Sequence, residues 1–107
     1  MTEQEFETRA GEALRKLEAA LRDAADELEV DLEAGILTLE FADGSKFLLN
    51  SHGASQQIWL SANLAAWHFA WHEPTSSWRD TKTGAELFTE LGLLVGQKLS
   101  QPLKLRS

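Results

Sequence analysis

Apolar residues first recur at steps of three and four, at Phe6, Ala10, Leu14, Leu17, Leu21, Ala24 and Leu28. That spacing is one face of an amphipathic helix. Thr2-Glu3-Gln4-Glu5 stands in front of it in S/T-x-x-E form, in which hydroxyl and carboxylate cap each other's main-chain N–H groups. The pattern predicts a first helix from Glu3 to about Glu27. The period then falls to two. Glu29-Val30-Asp31-Leu32-Glu33 alternates strictly, as a half-buried strand does. Ala34-Gly35 turns the chain into a second strand carrying Leu37, Leu39 and Phe41. Asp43-Gly44 is a hairpin signal, and Lys46 to Asn50 returns as a third strand, followed by a loop from Ser51 to Ser55. Gln57 to Ala62 and Trp67 to His72 read as two more strands. A short one follows around Trp78, beyond the Glu73-Pro74-Thr75-Ser76-Ser77 turn. Thr83-Gly84-Ala85-Glu86 has the form of a second capping box, opening a helix through Leu87, Phe88, Leu91, Leu94, Val95 and Leu99 that Pro102 should stop.

Short turns between consecutive strands require antiparallel pairing. One face of such a sheet can stay wet while the other is covered by helices. The expected fold is therefore an α+β two-layer sandwich, with two helices on one face of an antiparallel sheet of five to six strands. The whole chain, residues 1–107, is expected to form one domain. No apolar run is long enough to span a membrane, and the acidic start is unlike a secretory signal, so the expected location is the cytoplasm. The chain has no cysteine, which removes disulfides and the thiolates that usually hold an iron–sulfur cluster.

Charge changes the picture. The formal net charge is -7, but 13 of the 17 acids and only 4 of the 10 bases fall in residues 1–43. A nucleic-acid binder needs the opposite sign, so a cation or a basic protein surface is the better partner. Along the first helix Glu5–Arg9, Glu12–Lys16 and Glu18–Arg22 are i,i+4 pairs in the favourable order. The pairing then stops. Asp23 faces Asp26 and Glu27 at i+3 and i+4, at the helix end where the macrodipole prefers cations. Glu29, Asp31 and Glu33 follow on one strand face, roughly 6.6 Å apart. No base between Arg22 and Lys46 offsets them. Two readings fit this run. It is a ridge that binds hard cations weakly through exposed carboxylates, or a solvated face whose charges keep an edge strand from pairing with other sheets. Charge spacing alone favours the second.

Gln57-Ile58-Trp59-Leu60-Ser61, with Asp43-Gly44-Ser45-Lys46, Asn50, Trp78 and Gly84, resembles the frataxin/CyaY family over nearly the whole chain. The first of these motifs is similar to the family's Q-x-W-L-[AS] strand. The chain departs from eukaryotic members at His52, where they tend to have Gln, at Ala54, a common Pro, and at Ala66, where they carry a basic residue. The resemblance implies weak binding of ferrous or ferric iron on acidic residues, here Glu18, Asp23, Asp26, Glu27, Glu29, Asp31 and Glu33. It also implies docking on a cysteine desulfurase with its iron–sulfur scaffold protein, and modulation of cluster assembly. It reverses the odds on the acidic run. The expected state is a monomer, with iron-driven oligomers as the alternative.

Partner contact is expected at Asn50, Gln57 and Trp59. Alternation sends Ile58 and Leu60 to the helices and puts Gln57, Trp59 and Ser61 on the open face, where a tryptophan is a candidate interface anchor. The competing role for Trp59 is local packing over its sheet neighbours. Trp67, Phe69 and Trp71 are assigned to the core. His68 and His72 are four apart, as in helical zinc motifs, but on a strand that is roughly 13 Å, too far to share a metal. All three histidines read as structural or surface residues, His68 and His72 at most as lone metal contacts. No catalytic motif appears, and the leading expectation is a binding module. The enzymatic alternative is a ferroxidase acting on the acidic ridge, and the third class is a metal-independent acidic adaptor.

Overall fold

The computed structural model describes residues 1–106. Helix α1 (Glu3–Ala24) leads into six strands: β1 (Glu29–Glu33), β2 (Ile36–Glu40), β3 (Lys46–His52), β4 (Gln57–Ala62), β5 (Ala65–His72) and β6 (Ser77–Asp80). Helix α2 (Leu87–Leu99) closes the order. The strands form one antiparallel sheet in chain order. Both helices lie on one face, giving the expected two-layer sandwich. Phe6, Leu14, Leu17 and Leu21 of α1 and Leu87 of α2 are fully buried with Leu37, Leu39, Leu49, Ile58, Leu60 and Phe69 of the sheet. Those sheet residues occupy alternate positions, as strand geometry demands. Phe69 lies in the core, while Trp67 and Trp71 beside it are half-buried and pack against its margin.

The first capping box forms: Thr2 Oγ1 accepts the Glu5 N–H at 3.0 Å, and Glu5 Oε1 accepts the Thr2 N–H at 3.1 Å. The Thr2 main-chain N–H, and after it the Thr2 hydroxyl, hold the Glu5 carboxyl below its ordinary range. Glu5 is thereby engaged, and the expected Glu5–Arg9 ion pair does not form. Arg9 instead lies over the Trp71 ring, 4.4 Å from its centroid. The Glu12–Lys16 and Glu18–Arg22 pairs do form, at 3.7 and 3.0 Å.

Four further sequence expectations are corrected. Helix α1 ends at Ala24, not Glu27, with Ala25 extended at φ -149° and ψ 108°. A helix running to Glu27 would leave Leu28 alone to carry the chain into β1. The earlier stop lets Ala25 and Leu28 both bury, and Arg22 Nη2 donates to the Val30 carbonyl at 2.9 Å, tying helix end to strand. Asp26 and Glu27 therefore sit in the turn, and their helical i+3 and i+4 repulsion with Asp23 does not exist. The second correction concerns Thr83-Gly84-Ala85-Glu86. The N-cap of α2 is Glu86 itself, whose carboxylate accepts the Phe88 and Thr89 N–H groups at 2.9 and 3.0 Å. Thr83 Oγ1 accepts the Ala85 N–H at 3.2 Å, within the turn before the helix, while its hydroxyl donates to Asp80 Oδ2 at 3.0 Å. Third, Ser51 and His52 belong to β3, paired with Ile58 and Gln57, so His52 is not a loop residue. Last, β5 starts at Ala65, two residues before Trp67, because Asn63 and Leu64 (φ 52° and 63°) close a tight hairpin between Ala62 and Ala65.

Two ties fix the far end of the molecule. Lys98 Nζ of α2 reaches Asp43 Oδ2 in the β2–β3 turn at 2.8 Å. Lys98 and then Ser45 hold the Asp43 carboxyl well below the usual carboxylate range. The C-terminal segment then runs back along α2, where Gly96 admits it: a Cβ there would stand 2.8 Å from the Gln101 carbonyl oxygen. Leu105 is buried at its end.

Candidate functional site

Strand parity and register decide what the open face carries. Glu29, Asp31 and Glu33 are exposed on β1, while Val30 and Leu32 between them are half-buried toward the helices. Cross-strand pairing then runs Glu33–Ile36–Asn50–Trp59–His68 in one row over five strands. Three strand spacings, roughly 14 Å, separate Glu33 from Trp59 along that row. The acidic edge and the three expected contact residues Asn50, Gln57 and Trp59 thus share one surface. Ile36 and Leu48 add exposed apolar area to it, at 40% and 41% relative exposure.

The acids divide into two groups. Glu18 is half-buried and paired with Arg22, so part of its carboxylate is already occupied. Asp23, Asp26, Glu27, Glu29, Asp31 and Glu33 are exposed. Among the described residues the ion pairs engage Glu12, Glu18 and Asp43, and none of these six. They run from the end of α1 through the turn onto β1. No group of three His, Asp or Glu side chains among the described residues converges in the manner of a closed metal site. The geometry is a string of separate carboxylates, suited to weak contacts with cations or with basic side chains.

Trp59 is half-buried on the open face and flanked on both sides. The His52 imidazole stacks on one face of its indole with centroids 4.1 Å apart and planes 4° apart. His68 stacks on the other at 4.5 Å and 20°. The Trp59 Nε1–H donates to Gln57 Oε1 at 2.9 Å. His52 is steadied by a 2.9 Å hydrogen bond between Nδ1 and Ser55 Oγ. His72 lies outside the stack, its Nδ1 on Thr75 Oγ1 at 2.8 Å.

His68 is placed by Asp80, a buried carboxylate that no sequence motif marked. Its Oδ1 accepts the His68 N–H at 3.0 Å, and its Oδ2 accepts the N–H groups of Lys82 and Thr83 at 3.2 and 2.9 Å. Burial pushes the Asp80 carboxyl up, but these donors and the Thr83 hydroxyl outweigh it and hold the group below its ordinary range. The histidine stack was also missed. Its signal lay in the hairpin: once Asn63-Leu64 is taken as a two-residue turn, counting outward pairs Trp59 with His68.

Comparison with known proteins places this geometry. The frataxin-like domain family matches residues 1–101. The chain belongs to the frataxin-like family. It is 37% identical over 107 residues to the iron-sulfur cluster assembly protein CyaY of Dechloromonas aromatica, with 99% of this chain and 100% of that one covered. It is 38% identical over 102 residues to the CyaY of Ralstonia nicotianae, covering 92% and 88% of the two chains. The solved frataxin of Psychromonas ingrahamii superposes with a TM-score of 0.91 at 22% identity, covering 100% of both chains. That likeness confirms the frataxin fold. No helix among the described residues is long and apolar enough to cross a membrane.

Proposed function

We propose that this chain acts in iron–sulfur cluster assembly as an iron-binding accessory that docks on a cysteine desulfurase and its scaffold protein, supplying iron or regulating the complex. The observation that carries this reading is the shared surface: six unpaired, exposed carboxylates continue onto the open sheet face that presents Trp59. Relatives matching nearly the full length are named as iron–sulfur cluster assembly proteins, which supports the pathway. Open carboxylates hold iron weakly enough to release it. The same charges complement a basic patch, and such association weakens as salt screens it. A ferroxidase needs converging ligands, and the spread of these acids along a turn and a strand does not favour that alternative.

The test is a pull-down with purified desulfurase and scaffold, with and without ferrous iron, beside NMR of the free protein. Ferrous iron, or manganese as a probe, is expected to broaden Asp23, Asp26, Glu27, Glu29, Asp31 and Glu33 before any histidine. Trp59→Ala is expected to fold and to bind the complex less well. Broadening centred on His68 and His72, or full binding by a chain neutralised at those six acids, overturns the proposal.

A further inference from the structure

An exposed tryptophan on a sheet normally samples several rotamers, and binding must freeze them. Trp59 differs in three ways. Its two ring faces are covered by His52 and His68 at 4.1 and 4.5 Å, and its N–H is held by Gln57 at 2.9 Å. Each clamp is itself held from outside the stack. Ser55 in the β3–β4 turn bonds the His52 ring at 2.9 Å. The His68 main chain is bonded on both sides, its N–H to Asp80 at 3.0 Å and its carbonyl to the Thr81 N–H at 2.9 Å. Three aromatic rings from three adjacent strands therefore stand as one parallel stack on the open face, and the edge of the indole is what remains for solvent.

We infer that His52 and His68 are positioning residues for the docking anchor: they hold the Trp59 indole upright before a partner arrives, so that the partner meets a fixed ring edge rather than a mobile side chain. The binding half of this inference rests on the proposed docking through the open face. The clamp half does not. Preorganising one rotamer-rich side chain changes affinity by roughly three- to tenfold. The contribution of each histidine comes from a flat ring at stacking distance, so another flat ring should replace it.

The experiment uses full-length chains carrying His52→Ala, His68→Ala, both together, and the ring-preserving pair His52→Phe with His68→Phe. Time-resolved fluorescence anisotropy and near-UV circular dichroism read the ring in the free protein, with Trp59→Phe as the reference that isolates Trp59 from Trp67, Trp71 and Trp78. Affinity is measured against the purified desulfurase–scaffold complex. The double alanine variant is expected to keep its far-UV spectrum, to gain fast Trp59 depolarisation, and to bind roughly three- to tenfold more weakly. The double phenylalanine variant is expected to restore both the slow depolarisation and the affinity. Unchanged Trp59 anisotropy in the double alanine variant overturns the clamp. Freed rotation with unchanged affinity, or weakened binding that phenylalanine does not rescue, overturns the positioning role. If Trp59→Ala itself binds as tightly as the wild type, the docking proposal fails and takes the binding half with it, while the anisotropy still decides the clamp.

Discussion

Replacing Asp80 by alanine removes one carboxylate and orphans three main-chain donors. Asp80 accepts from His68 N at 3.0 Å, Lys82 N at 3.2 Å, Thr83 N at 2.9 Å and Thr83 Oγ1 at 3.0 Å. Hydrogen bonds to a charged group contribute about 1.5–3 kcal/mol each when shielded from water. The four do not count equally. Lys82 and Thr83 are exposed, so their N–H groups turn to water and lose little. The His68 N–H lies within the half-buried part of β5 and has no such recourse, at about 1–3 kcal/mol for an unsatisfied donor. With the loosened Thr83 loop added, the expected loss is about 3 kcal/mol, or roughly 12–24 °C in melting temperature. Asp80→Asn keeps one acceptor oxygen but turns an amide N–H toward other donors, and about half that loss is expected. The pH dependence follows from the direction of the shift. The folded carboxyl sits below its unfolded value, so the unfolded chain takes up a proton first as pH falls. The contribution of Asp80 is complete above pH of about 4 and fades as pH drops through the folded value. Urea denaturation followed by far-UV circular dichroism, at pH 7 and at pH 3, measures both effects. A variant within about 1 kcal/mol of wild type at pH 7 would refute the donor accounting. A gap as wide at pH 3 as at pH 7 would refute the linkage.

Three further outcomes follow from local geometry. Because α1 stops at Ala24, only Asp23 opposes the helix dipole; Asp23→Asn should raise stability by about 0.3–1 kcal/mol in low salt, whereas Asp26→Asn and Glu27→Gln should stay within about 0.5 kcal/mol of wild type in thermal melts. Gly96→Ala places a Cβ 2.8 Å from the Gln101 carbonyl and should destabilise by about 1–3 kcal/mol, while Gly11→Ala, which meets only the flexible Arg15 guanidinium at 3.2 Å, should stabilise by up to about 1 kcal/mol in urea titrations. Leu64 is fully exposed at φ 63°, so Leu64→Gly should relieve left-handed strain and, after the entropy loss of glycine, gain roughly 0.5–1 kcal/mol in the same assay.

Periodicity made most of the fold legible, because an apolar residue every two or every three to four positions can be buried in only one kind of element. The helix face from Phe6 to Leu21, the alternation of Ile58 and Leu60 against Trp59, and the hairpins at Ala34-Gly35 and Asp43-Gly44 were all determined by local chemistry. So were the acidic bias of the first 43 residues and the placement of Glu29, Asp31 and Glu33 on one face of a strand. Tertiary structure decided whatever depended on competition between distant partners. Periodicity carries Leu28 into α1, but the link to β1 ends the helix at Ala24 and moves Asp26 and Glu27 into a turn. Thr83 has the form of an N-cap, but its hydroxyl serves the turn, accepting from the Ala85 N–H and donating to the buried Asp80, and Glu86 caps α2 instead. His52 and His68 lie seven and nine positions from Trp59 in the chain, and only strand register brings their rings against its two faces. Local sequence carries the parity of a strand, which says which face a side chain takes. Which side chain stands beside it on that face is set by the register between strands, and in this sheet that register depends on tight turns and on one buried carboxylate holding β5 in place.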